Sequence, residues 1–125
     1  MLLNNFYKIT DIIKEENSSI FKVELNPSHS IYKGHFEEQP IVPGVCTLQI
    51  IKECAEKVAN NELFYSYISS CKFLSLIDPQ INKLLEINIT LKEIDENQIS
   101  LLAEGKYQHT ETIFIKVKAT LKESL

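Results

Sequence analysis

The strongest constraint on the fold is the alternation of apolar and polar side chains in the C-terminal part of the chain. From Leu85 to Lys92, leucine and isoleucine alternate with polar residues, which is the two-residue period of a strand with one buried face. Two further alternating segments follow after short turns, from Gln98 to Tyr107 and from residue 113 to 121. Three consecutive strands with short turns predict an antiparallel meander with one apolar face against a core.

The residues before this meander predict a hairpin, a long loop and one further strand. Residues 5–13 and 20–25 have strand composition, and residues 16–19 between them favour a turn. Three of the four prolines and two of the three glycines lie between residues 27 and 44, which predicts a long loop there. Residues 65–77 are rich in aromatic and aliphatic side chains and precede an Asp-Pro turn signal, so a strand is expected in that segment.

One segment has the spacing of a helix rather than of a strand. Pro43 and Gly44 are expected in its first turn, because proline is tolerated there, and Asn60 with Asn61 is expected to end it after about 16 residues. The expected apolar stripe consists of Leu48, Ile51, Ala55 and Val58. The expected solvated side consists of Lys52, Glu53, Glu56 and Lys57, with Glu53 paired to Lys57.

This order of elements predicts an α+β domain spanning residues 1–125, in which one helix covers one face of an antiparallel sheet. The net charge is -4, from 13 basic and 17 acidic residues without a basic cluster, so no nucleic-acid partner is expected. No signal peptide and no apolar run of membrane-spanning length is present, so a cytoplasmic location without a membrane segment is expected. Cys46, Cys54 and Cys71 have no C-x-x-C spacing and are expected to be reduced and buried.

Residues 34–45 carry a pattern that goes beyond what folding requires, Gly-His-Phe-Glu-Glu-Gln-Pro-Ile-Val-Pro-Gly-Val. His35 lies nine residues before Gly44, which is expected at the helix N-terminus. A histidine moves protons near neutral pH. A helix N-terminus offers unpaired N–H groups and a partial positive charge, which bind a carbonyl oxygen or an oxyanion. Together they favour removal of a proton next to a thioester carbonyl.

This segment resembles the H-F-P-G-x-P-x-x-P-G-V signature of the FabZ-type β-hydroxyacyl-acyl-carrier-protein dehydratases. The residues in register are Gly34, His35, Phe36, Pro40, Pro43, Gly44 and Val45, and the segment from Cys71 to Pro79 resembles the family's strand and turn after the helix. The resemblance implies a hotdog fold, an antiparallel sheet of five to six strands wrapped around one long central helix. It also implies a homodimer with two shared active sites.

The same resemblance implies an activity and roles for individual residues. The activity is elimination of water from 3-hydroxyacyl thioesters of acyl carrier protein or coenzyme A, giving trans-2-enoyl products in fatty-acid or related lipid synthesis, with no metal or nucleotide cofactor. His35 is expected to be the general base, the backbone N–H of Gly44 with that of Val45 the thioester site, and Phe36 a substrate-binding residue. The family's acid comes fourteen residues after the histidine, on the partner subunit, where this chain has Gln49.

Gln49 leaves three interpretations open, because a glutamine amide has no proton to exchange at neutral pH. His35 alone moves both protons while Gln49 positions the departing hydroxyl, or Gln49 orients a water molecule for thioester hydrolysis. In the third interpretation the pocket binds an acyl chain without turnover, or the chain is an inactive partner of another hotdog subunit. Glu53, one helical turn beyond Gln49, is a further candidate carboxylate.

The remaining charged and titratable residues give two smaller expectations. Acyl carrier proteins are acidic, so a basic surface is needed to receive one. The candidate lysines are Lys33, Lys52, Lys57 and Lys72. His29 and His109 lie in segments with turn composition and are expected to be solvated.

Overall fold

The computed structural model describes residues 1–33 and 40–123 of the chain. The elements, in chain order, are β1 (Tyr7–Lys14), β2 (Ser19–Leu25), a 3-10 turn (Ser30–Lys33), α1 (Gly44–Ala59), β3 (Leu63–Phe73), β4 (Leu84–Glu93), β5 (Gln98–Tyr107) and β6 (Ile113–Glu123). Across these residues, the predicted order of two strands, a loop, a helix and four strands is confirmed. α1 follows the extended Pro43 and ends at Asn60, whose left-handed backbone (φ 54°) stops the helix. None of the described helices is both long and apolar enough to cross a membrane.

The six strands of the described residues form one antiparallel sheet, in the order β1-β2-β4-β5-β6-β3. β4, β5 and β6 are neighbours, which confirms the predicted meander, with Leu85 opposite Tyr107 and Leu101 opposite Ala119. β1 and β3 are the two edges of the sheet. Each edge strand therefore has one side whose backbone groups face outward from the sheet.

The core lies between α1 and one face of the sheet. α1 packs against β3 and β4, and every second residue of the central strands is buried. The core side chains include Phe21, Val23, Leu85, Ile87, Ile89, Leu101, Ile115 and Val117 on the strands and Ile50, Ile51, Cys54 and Ala55 on the helix. Burying one large aliphatic or aromatic side chain stabilises a fold by roughly 1.5–3 kcal/mol. The alternation that predicts the strands is therefore also what fixes the helix on the sheet.

The buried face of α1 differs from the predicted stripe. Ile51 and Ala55 are buried as predicted, but Val58 is 39% exposed, and Glu53, predicted to be solvated and paired with Lys57, is only 2% exposed. The buried residues of α1 are Cys46, Thr47, Ile50, Ile51, Glu53, Cys54 and Ala55. The prediction for Glu53 is wrong because the first residues of the chain fold over this side of the helix and bond to its carboxylate.

The three cysteines are free thiols. Cys46 and Cys54 are buried as predicted, whereas Cys71 is half-buried. Burial raises the pKa of the Cys46 and Cys71 thiols, so both stay protonated near neutral pH and are weak nucleophiles. They act as small packing residues.

Candidate functional site

The predicted site residues divide into those that the structure describes and those that it does not. His35 and Phe36 lie outside the described residues. Gly44 and Val45 lie in the first turn of α1, and Gln49 lies about one turn further along the same helix. The described part of the candidate site is therefore the N-terminal half of α1.

The first turn of α1 has unpaired backbone N–H groups. The carbonyl oxygen of Pro43 accepts hydrogen bonds from Cys46 N at 2.9 Å and Thr47 N at 3.3 Å, and no side chain of the described residues caps the helix. Among the described residues, Gly44 N–H and Val45 N–H have no acceptor. The first turn also has no acidic residue, so the turn itself does not neutralise the positive end of the helix dipole. This turn is suited to bind a carbonyl oxygen or an oxyanion.

The ring of Phe73, at the end of β3, packs closely against Gly44. A Cβ atom at position 44 would lie 2.9 Å from Phe73 Cζ and 3.2 Å from Cε1, so the glycine allows the ring to approach the helix. Phe73 is 51% exposed and Val45 is 75% exposed. The unpaired amides are thus flanked by exposed apolar side chains, the kind of surface that receives an acyl group.

Gln49 is bonded to the buried carboxylate of Glu53. Gln49 Nε2 donates to Glu53 Oε2 at 2.7 Å, and Leu2 N donates to the same oxygen at 2.8 Å. Glu53 Oε1 accepts from Leu3 N at 2.9 Å and from Tyr7 Oη at 3.0 Å. The carboxylate therefore accepts four hydrogen bonds, two at each oxygen, and its negative charge is compensated by donors inside the protein.

The N-terminal residues are shaped so that their amides reach Glu53. Asn4 has a left-handed backbone (φ 67°) and donates its N–H to Tyr7 O at 2.6 Å, while Phe6 N donates to Leu2 O at 2.8 Å. Phe6 and Tyr7 are buried beneath this turn. Burial, together with the neighbouring Cys54 and Glu53 side chains, raises the pKa of Tyr7, so its hydroxyl keeps its proton and donates to Glu53.

A cavity of about 770 Å³ lies beside this network. It is lined by Gln49, Lys52, Glu53, Glu56 and Lys57 of α1, by Met1 and Leu3, and by residues 60–64. Lys52 Nζ lies 3.6 Å from Glu56 Oε2 and donates to Leu63 O at 3.1 Å. Because Gln49 Nε2 faces Glu53 and no described donor reaches Gln49 Oε1, Oε1 is left as a hydrogen-bond acceptor at the cavity.

The other predicted residues have different surroundings. His109 is exposed in a turn, as predicted, with a left-handed backbone (φ 64°). His29 is half-buried, so that prediction is wrong: its ring meets Phe6 edge-on at 5.2 Å, and its Nδ1 accepts from Ile31 N at 3.0 Å. Among the four candidate lysines, Lys52 contacts Glu56 of α1 and the carbonyl oxygen of Leu63 in β3. The other three, Lys33, Lys57 and Lys72, are exposed.

Several known proteins are similar to this chain in sequence or in architecture. A family model described as ApeI-like, ApeI dehydratase, matches residues 11–112. The 3-hydroxyacyl-[acyl-carrier-protein] dehydratase FabZ of Lactobacillus helveticus (strain DPC 4571) is 26% identical over 81% of this chain and 82% of that protein. The dehydratase heterocomplex ApeI:P from Xenorhabdus doucetiae gives a TM-score of 0.75 at 20% identity, over 92% of this chain and 96% of that one. A hypothetical thioesterase with coenzyme A from Streptococcus pneumoniae TIGR4 gives 0.65 at 9% identity, over 98% and 91%.

These matches agree with the observed sheet and helix. The two solved structures are similar to this chain in fold, and the six-stranded antiparallel sheet packed on α1 is the hotdog fold that the FabZ-type resemblance implied. The family model covers most of the chain, from β1 to the turn before β6. The chain therefore belongs to the ApeI-like dehydratase family.

Proposed function

We propose that this protein is a 3-hydroxyacyl-thioester dehydratase that eliminates water to give a trans-2-enoyl thioester in fatty-acid or related lipid synthesis. The observation that carries the proposal is the first turn of α1, which contains no acidic residue and in which Gly44 N–H and Val45 N–H have no acceptor within residues 1–33 and 40–123. His35 stands nine residues before that turn in the sequence. Membership of the ApeI-like family and the FabZ relative support the same reaction class.

In the proposed reaction, one histidine moves both protons. The thioester oxygen binds at Gly44 N–H and Val45 N–H, which stabilise the negative charge that develops when the α proton leaves. His35 takes that proton, a C=C bond forms between the α and β carbons, and the C–O bond to the β-hydroxyl breaks. His35 then returns its proton to the departing hydroxyl, which leaves as water.

Gln49 takes part by position and not by proton transfer. Its side chain has no proton to exchange at neutral pH, whereas the acid at this position in the FabZ-type family is expected to contribute about a hundredfold in rate or more. Gln49 lines the cavity, and its Oε1 has no donor among the described residues. We assign it to the β-hydroxyl of a substrate bound at the first turn of α1 in the other copy of the chain, and the resulting enzyme is expected to be slower than one with a carboxylic acid there.

We further propose that two copies of the chain pair along β3 and share their sites. β3 bonds only to β6 within the described sheet, and its exposed side chains include Phe64, Tyr67, Ile68 and Phe73. A long apolar edge strand is normally covered in a soluble protein. The opposite edge, β1, exposes Ile12 and Ile13 together with three charged residues, Lys8, Asp11 and Lys14.

The dimer is tested by light scattering after size-exclusion chromatography. Tyr67→Lys places a charge in the middle of β3 and is expected to give a monomer. Ile12→Lys makes the matching change on the exposed surface of β1 and is expected to remain a dimer. A native protein that is monomeric at micromolar concentration would contradict the proposal.

Thioester hydrolysis is the second candidate function, and the free acceptor of Gln49 is what favours it, because an amide oxygen can also orient a water molecule. The substrate in either case is an acyl thioester, of acyl carrier protein or of coenzyme A. An acidic carrier protein would meet the exposed Lys33, Lys57 and Lys72.

The proposed function is tested with purified protein and crotonyl-coenzyme A, following loss of the enoyl absorbance on hydration. The native protein is expected to hydrate the substrate, and His35→Ala is expected to abolish hydration. His109→Asn is the control, since it removes an exposed histidine and suits a left-handed backbone. Full hydration activity in His35→Ala would overturn the dehydratase proposal. Release of free thiol from butyryl-coenzyme A would support hydrolysis, and binding without turnover would support an acyl-binding subunit.

A further inference from the structure

The buried carboxylate of Glu53 lies one turn from Gln49 and is saturated with hydrogen bonds. Its two oxygens accept from Leu2 N and Gln49 Nε2, and from Leu3 N and Tyr7 Oη, at 2.7 to 3.0 Å. A carboxylate has about four acceptor positions, and all four are used inside the protein. Glu53 is also only 2% exposed. It therefore has no site left for a substrate and does not replace the acid that is absent at position 49.

The same carboxylate fixes which end of the Gln49 amide faces the cavity. Leu2 N, Leu3 N and Tyr7 Oη all donate to this carboxylate, which acts as an acceptor. The group that lies 2.7 Å from Glu53 Oε2 is accordingly the donor end of the Gln49 amide, Nε2. The reversed amide would place two oxygens with partial or full negative charge at that distance. Gln49 Oε1 is consequently turned away from Glu53, at the cavity that Gln49 lines.

We propose that Glu53 is a positioning residue that holds Gln49 as a hydrogen-bond acceptor and thereby selects acyl thioesters with a donor at carbon 3. This rests on the proposed function and names the chemistry of its substrate at one position. A 3-hydroxyl donates to Gln49 Oε1. A saturated chain has no donor at carbon 3, and a 3-oxo group would place a second acceptor against Oε1, so both are bound less tightly.

The inference is tested by calorimetric titration of 3-hydroxybutyryl-coenzyme A and butyryl-coenzyme A, in the His35→Ala background so that turnover does not consume the ligand. Without further change, the protein is expected to bind the 3-hydroxy ligand about tenfold more tightly. Glu53→Gln is expected to reduce this preference to about twofold. The new amide has its own NH₂ group, which lets Gln49 turn and present Nε2 to the cavity.

Tyr7→Phe is the matched control, because it removes a donor from the other oxygen of Glu53 and leaves the contact with Gln49 in place. It is expected to keep the tenfold preference. Equal loss of the preference in Tyr7→Phe and Glu53→Gln would show a merely structural role and overturn the inference. Absence of a preference before either change would also overturn it.

A second measurement does not depend on ligand binding. In the native protein, one side-chain amide proton of Gln49 is expected to show a downfield NMR shift and slow exchange with water, and Glu53→Gln is expected to remove both. A Gln49 amide that exchanges as fast as free glutamine would contradict the inference. The two proposals can fail separately. A protein that prefers the 3-hydroxy ligand through Glu53 but does not hydrate crotonyl-coenzyme A would support the inference and end the dehydratase proposal. A protein that hydrates crotonyl-coenzyme A but shows no such preference would support the dehydratase proposal and end the inference.

Discussion

The first turn of α1 and the turn from Gln49 to Glu53 lie on the same helix but differ in how their polar groups are paired. Gly44 N–H and Val45 N–H have no acceptor among the described residues, whereas the Glu53 carboxylate accepts four hydrogen bonds. Unpaired donors beside apolar side chains are available to a ligand, and a saturated carboxylate is available only to its own neighbours. The comparison therefore separates a proposed binding turn, residues 44–47, from a proposed positioning turn, residues 49–53.

Removing the saturated carboxylate is expected to have the largest effect. Glu53→Leu leaves four donors without their acceptor and should lower the free energy of unfolding by about 3 kcal/mol. Urea denaturation followed by circular dichroism measures this loss. Glu104→Gln changes an exposed residue of β5 and is the control, expected to stay within about 0.5 kcal/mol of the native protein. A loss in Glu53→Leu that is no larger than in this control would show that the network does not stabilise the fold.

A variant in which glutamate and glutamine exchange positions 49 and 53 tests whether position 49 contacts the substrate. Gln49→Glu alone places two carboxylates within hydrogen-bond distance, and their repulsion is expected to destabilise the protein. The double variant Gln49→Glu/Glu53→Gln restores a carboxylate–amide pair with the acid at the cavity. Its rate of crotonyl-coenzyme A hydration is expected to exceed the native rate by about a hundredfold. No gain in a folded double variant would mean that position 49 does not face the substrate.

A methyl group in the binding turn is expected to affect activity more than stability. Gly44→Ala places Cβ 2.9 Å from Phe73 Cζ, so the half-exposed ring has to shift, and we expect this shift to disturb the neighbouring amides of the first turn. We expect kcat/KM to fall about tenfold while stability changes by less than about 1 kcal/mol. The double variant Gly44→Ala/Phe73→Leu replaces the ring with a smaller side chain and should recover most of the activity. An unchanged kcat/KM in Gly44→Ala would indicate that the thioester oxygen does not bind at the first turn of α1.

The smallest expected effect is the alkaline response of Tyr7. Its folded-state pKa is raised by burial and by the neighbouring Cys54 and Glu53 side chains, so the unfolded state loses the Tyr7 proton first as the pH rises. Stability from this group is present below pH 10, the ordinary tyrosine value, and declines above it by about 1.4 kcal/mol at pH 11. Tyr7→Phe should reduce the decline between pH 9 and 11 in urea titrations by that amount. Identical pH profiles would show that Tyr7 ionises equally in both states.

Local sequence patterns predicted the fold well, because each carries its own physical signal. The alternation from Leu85 to Leu91 has the period of a strand, and these residues lie in β4 with Leu85, Ile87 and Ile89 buried. The helix bounds follow from a proline, whose ring suits a first turn, and from Asn60, which adopts the left-handed backbone that ends α1.

The positioning turn was not predictable in the same way. Helical spacing placed Glu53 on a solvated face, because the residues that bury it are 46 to 51 positions away in the sequence. The four-residue spacing of Gln49 and Glu53 was visible in the sequence and is the one local signal of their hydrogen bond. The binding turn was predictable in part, since a glycine after a proline marks a helix start, but the close approach of Phe73 depends on the packing of β3 against α1.

Hydration of crotonyl-coenzyme A in D₂O, with mass spectrometry and NMR of the product, tests the central claim most directly. If His35 exchanges a proton with the α carbon of a thioester bound at the first turn of α1, the native product carries one deuterium at carbon 2, and His35→Ala gives no product above the uncatalysed reaction. Deuterated product formed at the native rate by His35→Ala would contradict this account.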